Sequence, residues 1–189
     1  VDNLTDVQLI VTGSSSIDLF SEIKEPLTGR KYEYNMFPFS VRELIDNSNI
    51  LHERQSLEHR LIYGTYPEVL NRMDEAKETL FSLVSSYLYK DILAYSGIRK
   101  PSQLEKLVEA LAFQIGNEVS YNELGQIIGA DNQTVERYID LLEHSFVVFR
   151  LKAYSNNLRN EIKKGRKIYF YDNGIRNAII QNFTPIKMR

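Results

Sequence analysis

The chain has 189 residues, a mass of 22.0 kDa, 43% hydrophobic and 25% charged residues, and a net charge of −2. These values are typical of one or two globular domains and exclude a disordered or fibrous chain. There is no cysteine, so disulfides and thiolate metal sites are excluded, and no apolar run reaches the roughly 18 residues of a membrane span. The chain begins without Met and without a signal pattern, so we expect a processed chain or a fragment of a cytoplasmic protein.

The charge is unevenly distributed along the chain. Residues 150–189 contain ten Lys or Arg and two acidic residues, a local charge of +8, whereas residues 1–149 carry −10. This asymmetry predicts a basic C-terminal region that meets an acidic partner, either nucleic acid or the acidic front of the same protein. A solvated basic surface is the alternative.

Two short strands are predicted near the N-terminus. Residues 7–11 are β-branched and almost continuously apolar, which is typical of a parallel strand buried on both faces. Thr12, Gly13 and Ser14 then form a turn into a helix. The sequence predicts no second parallel strand, so partners for the first would lie in residues that this chain does not contain. Residues 31–37 alternate and predict a second, isolated strand.

Helices are predicted to follow. Ser40 and Glu43 have capping-box spacing at the start of one, and apolar periodicity predicts others over about 52–63 and 74–93. The turn at Gly64–Pro67 separates these two, and residues 97–101 are the best domain boundary.

The second half reads as helix, short helix, turn, helix and hairpin. One helix follows Pro101, and a second capping box at Ser120 and Glu123 opens a helix over 121–128. A turn at Gly129–Asp131 precedes a helix over about 132–144, whose Val135, Ile139 and Leu142 point inward, and strands follow at 146–151 and 167–171. This order predicts a winged helix-turn-helix, within a chain of mainly α, α+β class.

The residues offer little chemistry of their own. No metal-ligand spacing is present, no Gly-Lys pair can form a P-loop, and no nucleophile motif occurs, so we expect no metal site and no catalysis by this chain alone. The carboxylate pairs Glu105/Glu109 and Asp140/Glu143 are interpreted as solvated helix faces.

DNA binding is the best-supported activity from residue types. Asn and Gln can bind adenine and Arg can bind guanine from the start of a recognition helix. Acidic residues on the same helix weaken this interpretation, so the basic hairpin loop, or wing, is the better contact. The candidate DNA contacts are Gln133, Thr134 and Arg137 on the helix, and Arg159, Lys163, Lys164, Arg166 and Lys167 on the wing.

Ordered motifs over nearly the whole chain resemble one family, the bacterial and archaeal AAA-like P-loop ATPases with a helical lid and a winged helix. Each motif is weak alone, and their order and spacing carry the resemblance. They are residues 9–16, 27–30, 37–40 with Glu43, 64–69, 89–92, 134–139, 142–143 and 167–176.

The resemblance implies that the chain is the middle of such an ATPase, without its Walker segments. Residues 1–37 would end the ATPase core, 38–96 would be the lid, and 97–189 the winged helix. It also implies that Thr12, Ser14 and Arg30 sense nucleotide and that the intact protein binds ATP and Mg²⁺.

The partners that the resemblance implies are the missing ATPase core, DNA at the wing, and a homo-oligomer. Two other functions stay open. One is a free-standing winged-helix DNA-binding protein, and the other is a protein-interaction adaptor.

Overall fold

The computed structural model of the chain describes residues 10–12, 32–86, 92, 98, 100–151 and 166–188. The described part is mainly helical and carries one small antiparallel sheet, which confirms the predicted fold class. In chain order, its helices and strands are α1 (Val41–Asn47), α2 (Ile50–Gln55), α3 (Leu57–Tyr63), α4 (Pro67–Asn71), α5 (Ala76–Leu83), α6 (Pro101–Phe113), β1 (Glu118–Val119), α7 (Tyr121–Ile128), α8 (Asn132–His144), β2 (Val148–Leu151), β3 (Arg166–Phe170) and α9 (Asn173–Ile179), with 3₁₀ turns at Met73–Glu75 and Ile186–Met188.

The two strands predicted near the N-terminus are not found in the described residues. Ile10 and Val11 lie outside any strand and are 77% and 64% exposed, while residues 7–9 lie outside the described part. The prediction for 31–37 is wrong over 32–37, where the backbone is irregular and the alternating side chains are exposed. A strand needs a neighbour to hydrogen-bond its backbone. Among the described residues neither segment has one.

The predicted capping box at Ser40 is confirmed. The Ser40 hydroxyl accepts a hydrogen bond from the Glu43 amide at 3.3 Å, and the Glu43 carboxylate accepts one from the Ser40 amide at 2.8 Å. These bonds hold the pKa of Glu43 below its usual value. The predicted helix over 52–63 is divided at Ser56 into α2 and α3. Of the helix predicted over 74–93, α5 ends at Leu83, residues 84–86 continue it as a π-helical turn and residue 92 is helical, while 87–91 and 93 lie outside the described residues. The turn at Gly64–Pro67 is confirmed, with Pro67 as the first residue of α4.

A buried ion pair joins α2 to α3. Glu53 is only 8% exposed, and both of its carboxylate oxygens accept hydrogen bonds from the Arg60 guanidinium at 3.1 Å. These bonds, with a smaller contribution from His52, hold the pKa of Glu53 below its usual value. A carboxyl whose pKa is lower in the folded chain stabilises the fold above its unfolded pKa, and this stabilisation is lost as the pH falls through the folded pKa.

Glu53→Gln therefore has a pH-dependent effect that we can predict. At pH 7 it should lower the free energy of unfolding by about 2 kcal/mol, because Arg60 is left buried without a counter-charge. The difference from the wild type should shrink as the pH falls from the usual pKa of a glutamate through the lowered pKa of folded Glu53, because below that pKa the wild-type carboxyl is protonated too. Urea unfolding at a series of pH values measures this. Glu78→Gln, at an exposed position of α5, is the control and should show no such trend.

In the second half of the chain, three helices pack one on the next, and the third of them packs against the sheet. The strand order is β1-β3-β2, and both pairings are antiparallel, with Val119 opposite Arg166 and Val148 opposite Phe170. α6 packs on α7, α7 on α8, and α8 on β2. The predicted helices 121–128 and 132–144 are confirmed at both ends. At Ser120, one bond of the predicted capping box is present, from the Glu123 amide to the Ser120 hydroxyl at 3.4 Å.

One hydrophobic core extends across the predicted boundary between lid and winged helix. Side chains from α4 and α5 belong to the same cluster as those of α6 to α9 and the sheet. The boundary itself, at 97–101, stays a prediction. The most deeply buried apolar members of this cluster are Val69, Leu80, Leu104, Leu107, Val108, Leu111, Ala112, Leu124, Val135, Ile139, Leu142, Val148 and Ile168.

Helix α9 connects the two halves and was not predicted. It packs on α3, α5 and α6, and Asp172 caps its first turn. The Asp172 carboxylate is 4% exposed and accepts hydrogen bonds from two backbone amides: that of Ile175 at 3.0 Å and, 107 residues earlier in the chain, that of Thr65 at 2.7 Å. Burial raises the pKa of Asp172, although the amide bonds act in the opposite direction. We call this cap and the turn at Gly64–Thr65 the Asp172 junction.

Two further side chains of α9 bind helix ends. Asn177 is 1% exposed, and its amide donates hydrogen bonds to the carbonyls of Leu61 and Ile62 at 3.2 and 2.7 Å. Arg176 donates from Nε to the Ala112 carbonyl at 2.7 Å. These carbonyls lie in the last turns of α3 and α6, where no later amide of the helix can reach them. α9 therefore supplies the hydrogen bonds that both helix ends need.

The segment before α1 is attached beside the Asp172 junction. The Phe37 ring stacks on Tyr171 with centroids 4.9 Å apart and meets the edge of Phe146 at 5.6 Å. Two residues later, the Phe39 amide donates to the Thr65 carbonyl at 3.1 Å. Residues 37–39 are thus held against the end of the sheet and the turn before α4.

Candidate nucleic-acid interface

The N-terminus of α8 is formed by a tight turn after α7. Gly129 adopts a left-handed conformation with φ 69° and ends α7, and the Gln103 side chain donates to its carbonyl at 2.7 Å. Asp131 then caps α8 by accepting from the Thr134 amide at 2.7 Å, which holds the pKa of Asp131 below its usual value. A Cβ at Gly125 would overlap the Ala130 carbonyl, so α7 and the turn can approach this closely only with glycine there.

The first turns of α8 expose the residues predicted to contact DNA. Val135 and Ile139 are fully buried and fix the helix against the core, as predicted. Gln133 and Arg137 are exposed and Thr134 is half-buried. All three lie within the first two turns of the helix. The Arg137 guanidinium stands 5.5 Å from the Tyr138 ring centroid, a cation–π contact.

An open groove borders this end of α8. Its volume is about 770 Å³, and it lies between α7 and the turn into α8. Half of its lining residues are amides, which can donate and accept hydrogen bonds as base edges and phosphates require. The amide residues are Asn122, Gln126, Asn132 and Gln133.

Asp140 and Glu143, interpreted as a solvated face, are still 48% and 33% exposed, but both are ion-paired. Arg150 on β2 forms an ion pair with Asp140 and a second one with Glu143, where Nε lies 2.9 Å from Oε2. The Arg150 backbone amide also donates to Glu143 at 2.8 Å. This pairing could not be predicted from spacing along the helix, because Arg150 belongs to β2 and reaches α8 only through the turn that precedes that strand. The single positive charge of Arg150 offsets one of these two negative charges, and so part of the acidity that counted against α8 as a DNA-binding helix.

Arg166 is the wing residue that the structure describes most fully. Its Nη1 lies 3.3 Å from the Tyr121 hydroxyl and 3.7 Å from Glu136 Oε1. The Tyr121 hydroxyl and the Glu136 charge hold the pKa of Arg166 above its usual value. The neighbouring Lys167 is half-buried, opposite Leu151 on β2 and Glu118 on β1. Arg166 was predicted as a DNA contact of the wing, and in the structure it begins β3 and has partners within the chain.

Of the other predicted site residues, the structure describes Thr12. Thr12 is exposed and lies outside any helix or strand. The remaining candidates, Ser14 and Arg30 for nucleotide and Arg159, Lys163 and Lys164 for DNA, lie outside the described residues.

The described residues contain neither a metal-binding cluster nor a helix that could span a membrane. No three His, Asp or Glu side chains there come together as a metal-binding cluster. No helix in the same part of the chain has the length and apolar character that crossing a bilayer requires.

Several curated proteins are similar to the chain over most of its length. An "Uncharacterized protein" of Haemophilus influenzae is 25% identical over 185 residues, which are 93% of this chain and 46% of the relative. "Uncharacterized protein MJ1544" of Methanocaldococcus jannaschii is 23% identical over 171 residues, 81% of this chain and 39% of the relative. "Uncharacterized protein Rv2008c" of Mycobacterium tuberculosis is 25% identical over 175 residues, 92% and 38%. The chain thus spans less than half the length of these relatives.

Family models divide the chain near α2. A model described as an AAA domain matches residues 1–45, so the N-terminal part is related to AAA-like ATPases. No solved structure gives a significant match. A second model covers residues 54–185, well over half of the chain and nearly all of its described core. On that match, the chain belongs to the family described as "Domain of unknown function (DUF8612)".

Proposed function

We propose that the chain is part of an AAA-type ATP-binding protein in which residues 101–170 form a winged helix that binds duplex DNA. The observation that carries the DNA-binding proposal is the charge pattern of α8. Its C-terminal acids are paired with Arg150, whereas Arg137 stays exposed beside Gln133 at the N-terminal end. A helix whose acids are partly neutralised at one end and whose other end is polar suits entry into the major groove by its N-terminus.

The order of elements supports the same proposal. α6, α7 and α8 followed by the β2–β3 pair is the arrangement expected of a helix-turn-helix with a wing. The wing itself would be the basic loop 152–165, which joins β2 to β3 and carries Arg159, Lys163 and Lys164. Phosphates of the duplex would be its target.

Arg137→Ala should weaken binding of the chain to a fluorescently labelled duplex. The expected loss is about five- to tenfold at moderate salt, with a slope of log affinity against log salt that is shallower by about one, because one phosphate contact is removed. Fluorescence anisotropy over a salt series measures both quantities.

Arg42→Ala is the matched control, since Arg42 is a 91% exposed arginine on α1, outside the winged helix. It should change the affinity less than twofold. If the chain binds no duplex even at low salt, the DNA proposal fails and a protein-interaction adaptor becomes the better reading. Equal losses for the two variants would assign binding to overall charge.

The ATP-binding part of the proposal rests on the AAA match at residues 1–45 and on the greater length of the relatives. ATP and Mg²⁺ would be held by the longer protein, with Thr12, Ser14 and Arg30 as the nucleotide-sensing residues of this chain. The intact mass of the natural gene product is the test. A mass near twice 22.0 kDa, with ATP turnover, would support the proposal. A natural product of 22.0 kDa would contradict it.

A further inference from the structure

Arg166 is held by two elements of the proposed DNA-binding surface. It begins β3, and its guanidinium reaches the Tyr121 hydroxyl at the start of α7 and the Glu136 carboxylate on α8. The guanidinium carbon also lies 5.9 Å from the Tyr121 ring centroid. In the free chain, Arg166 therefore points its charge at neighbours within the same molecule.

The bond to Glu136 is the weakest of the ion pairs on α8. Its separation is 3.7 Å, and both side chains are substantially exposed, Arg166 at 38% and Glu136 at 50%. By contrast, Arg150 is 15% exposed and has two acidic partners. An exposed pair at this distance contributes little stability, so it can exchange its partner at small cost.

The position of Glu136 makes it unfavourable for a polyanion. It lies next to Arg137 in the chain and one helical turn from Gln133, the two exposed residues proposed to meet DNA. A phosphate that approaches this end of α8 meets the Glu136 charge first, whereas Asp140 and Glu143 lie one to two turns further along the helix and share Arg150.

We propose that Glu136 restrains Arg166 in the free chain, and that a backbone phosphate of bound DNA takes the place of Glu136 on that guanidinium. The inference rests on the proposed DNA-binding function and identifies Arg166 as a phosphate-binding residue. A phosphate offers several charged acceptor oxygens to an arginine, which makes it a stronger partner than one exposed carboxylate. Tyr121 can keep its contact with Arg166 while this exchange takes place.

The test compares four variants of the chain in duplex binding over a salt series. Glu136→Gln should tighten binding about three- to tenfold and steepen the salt dependence by about one, as Arg166 becomes free to contact phosphate. Arg166→Gln should weaken binding. In the double variant, the tightening caused by Glu136→Gln should be lost. Glu105→Gln removes an equal charge from an exposed position on α6 and should change affinity less than twofold.

The outcomes separate this inference from the function on which it rests. If the wild type binds DNA and Glu136→Gln matches Glu105→Gln, the inference is overturned while DNA binding stands. If Glu136→Gln tightens binding equally with and without Arg166, then simple repulsion explains the effect and the restraint of Arg166 is overturned. If neither the wild type nor Glu136→Gln binds at low salt, both proposals fail. Thermal melting of each variant checks that its fold is kept.

Discussion

Gly64→Ala is expected to lower the free energy of unfolding by about 3–5 kcal/mol. Gly64 has φ 75° and ψ −162°, a backbone region essentially restricted to glycine, where any other residue costs about 1–3 kcal/mol. Its Cβ would also overlap the Asp172 carboxylate, which is fixed by the Thr65 and Ile175 amides. Moving this carboxylate weakens charged hydrogen bonds worth about 1.5–3 kcal/mol each. For a chain of this length, the melting temperature should fall by about 10 °C.

Gly116→Ala separates the steric effect from the backbone effect. Gly116 has a similar φ of 83°, and no described atom lies within 4 Å of the position its Cβ would take. We expect it to cost about 1 kcal/mol, from backbone strain alone. Thermal and urea unfolding of the two variants side by side give the comparison. Equal losses would mean that the Asp172 junction contributes nothing to the cost at Gly64.

Asp172→Ala is the second large effect that we expect, a loss of about 3 kcal/mol. The substitution leaves the amides of Thr65 and Ile175 without an acceptor in a buried place and removes the cap of α9. Burial raises the pKa of Asp172, because a charge in this place is costly. Removing the carboxylate removes that cost, which offsets part of the loss in the free energy of unfolding.

Asp131→Ala is the matched control, because Asp131 caps α8 with the same chemistry at an exposed position. An exposed cap contributes about 1 kcal/mol. Urea unfolding should therefore show a loss for Asp172→Ala about three times that for Asp131→Ala. If the two losses are alike, Asp172 acts only as a helix cap, and the bond to Thr65 does not hold the two halves together.

Local features of the structure were predictable from the sequence. Caps such as Ser40 and Asp131 act within one helical turn, so their spacing alone predicts where α1 and α8 begin. The periodicity of Val135, Ile139 and Leu142 likewise identified the buried side of α8. Each of these depends on residues at most a few turns apart.

Long-range pairing was not predictable in this way. The segments 7–11 and 31–37 have strand-like patterns, but a strand also needs a partner, and the pattern does not say whether one is within reach. At the end of the chain the error was the opposite one, because a helix is present there that was not predicted. Asp172 has the residue type of a cap, and Ile175, Ala178 and Ile179 have helical spacing, yet the segment after the last strand was not interpreted as a helix.

At the candidate interface, the exposed end of α8 could be predicted and its electrostatics could not. Gln133 and Arg137 were identified from their place at the start of a helix. The partners of the α8 acids, Arg150 and Arg166, come from the strands, and only the packed fold brings them to the helix. The charge counted from a helix's own residues is a poor guide to its electrostatics where basic residues of neighbouring strands pair with its acids.

The place of α9 has a consequence for how the chain reaches its fold. Asp172 and Asn177 bind Thr65 and Ile62, partners more than 100 residues earlier in the chain. Such contacts close long loops and form slowly. During synthesis, the apolar sides of α3 and α5 that pack on α9 stay exposed until α9 leaves the ribosome. Until α9 is made, nascent chains on one messenger can aggregate with each other through these exposed apolar sides.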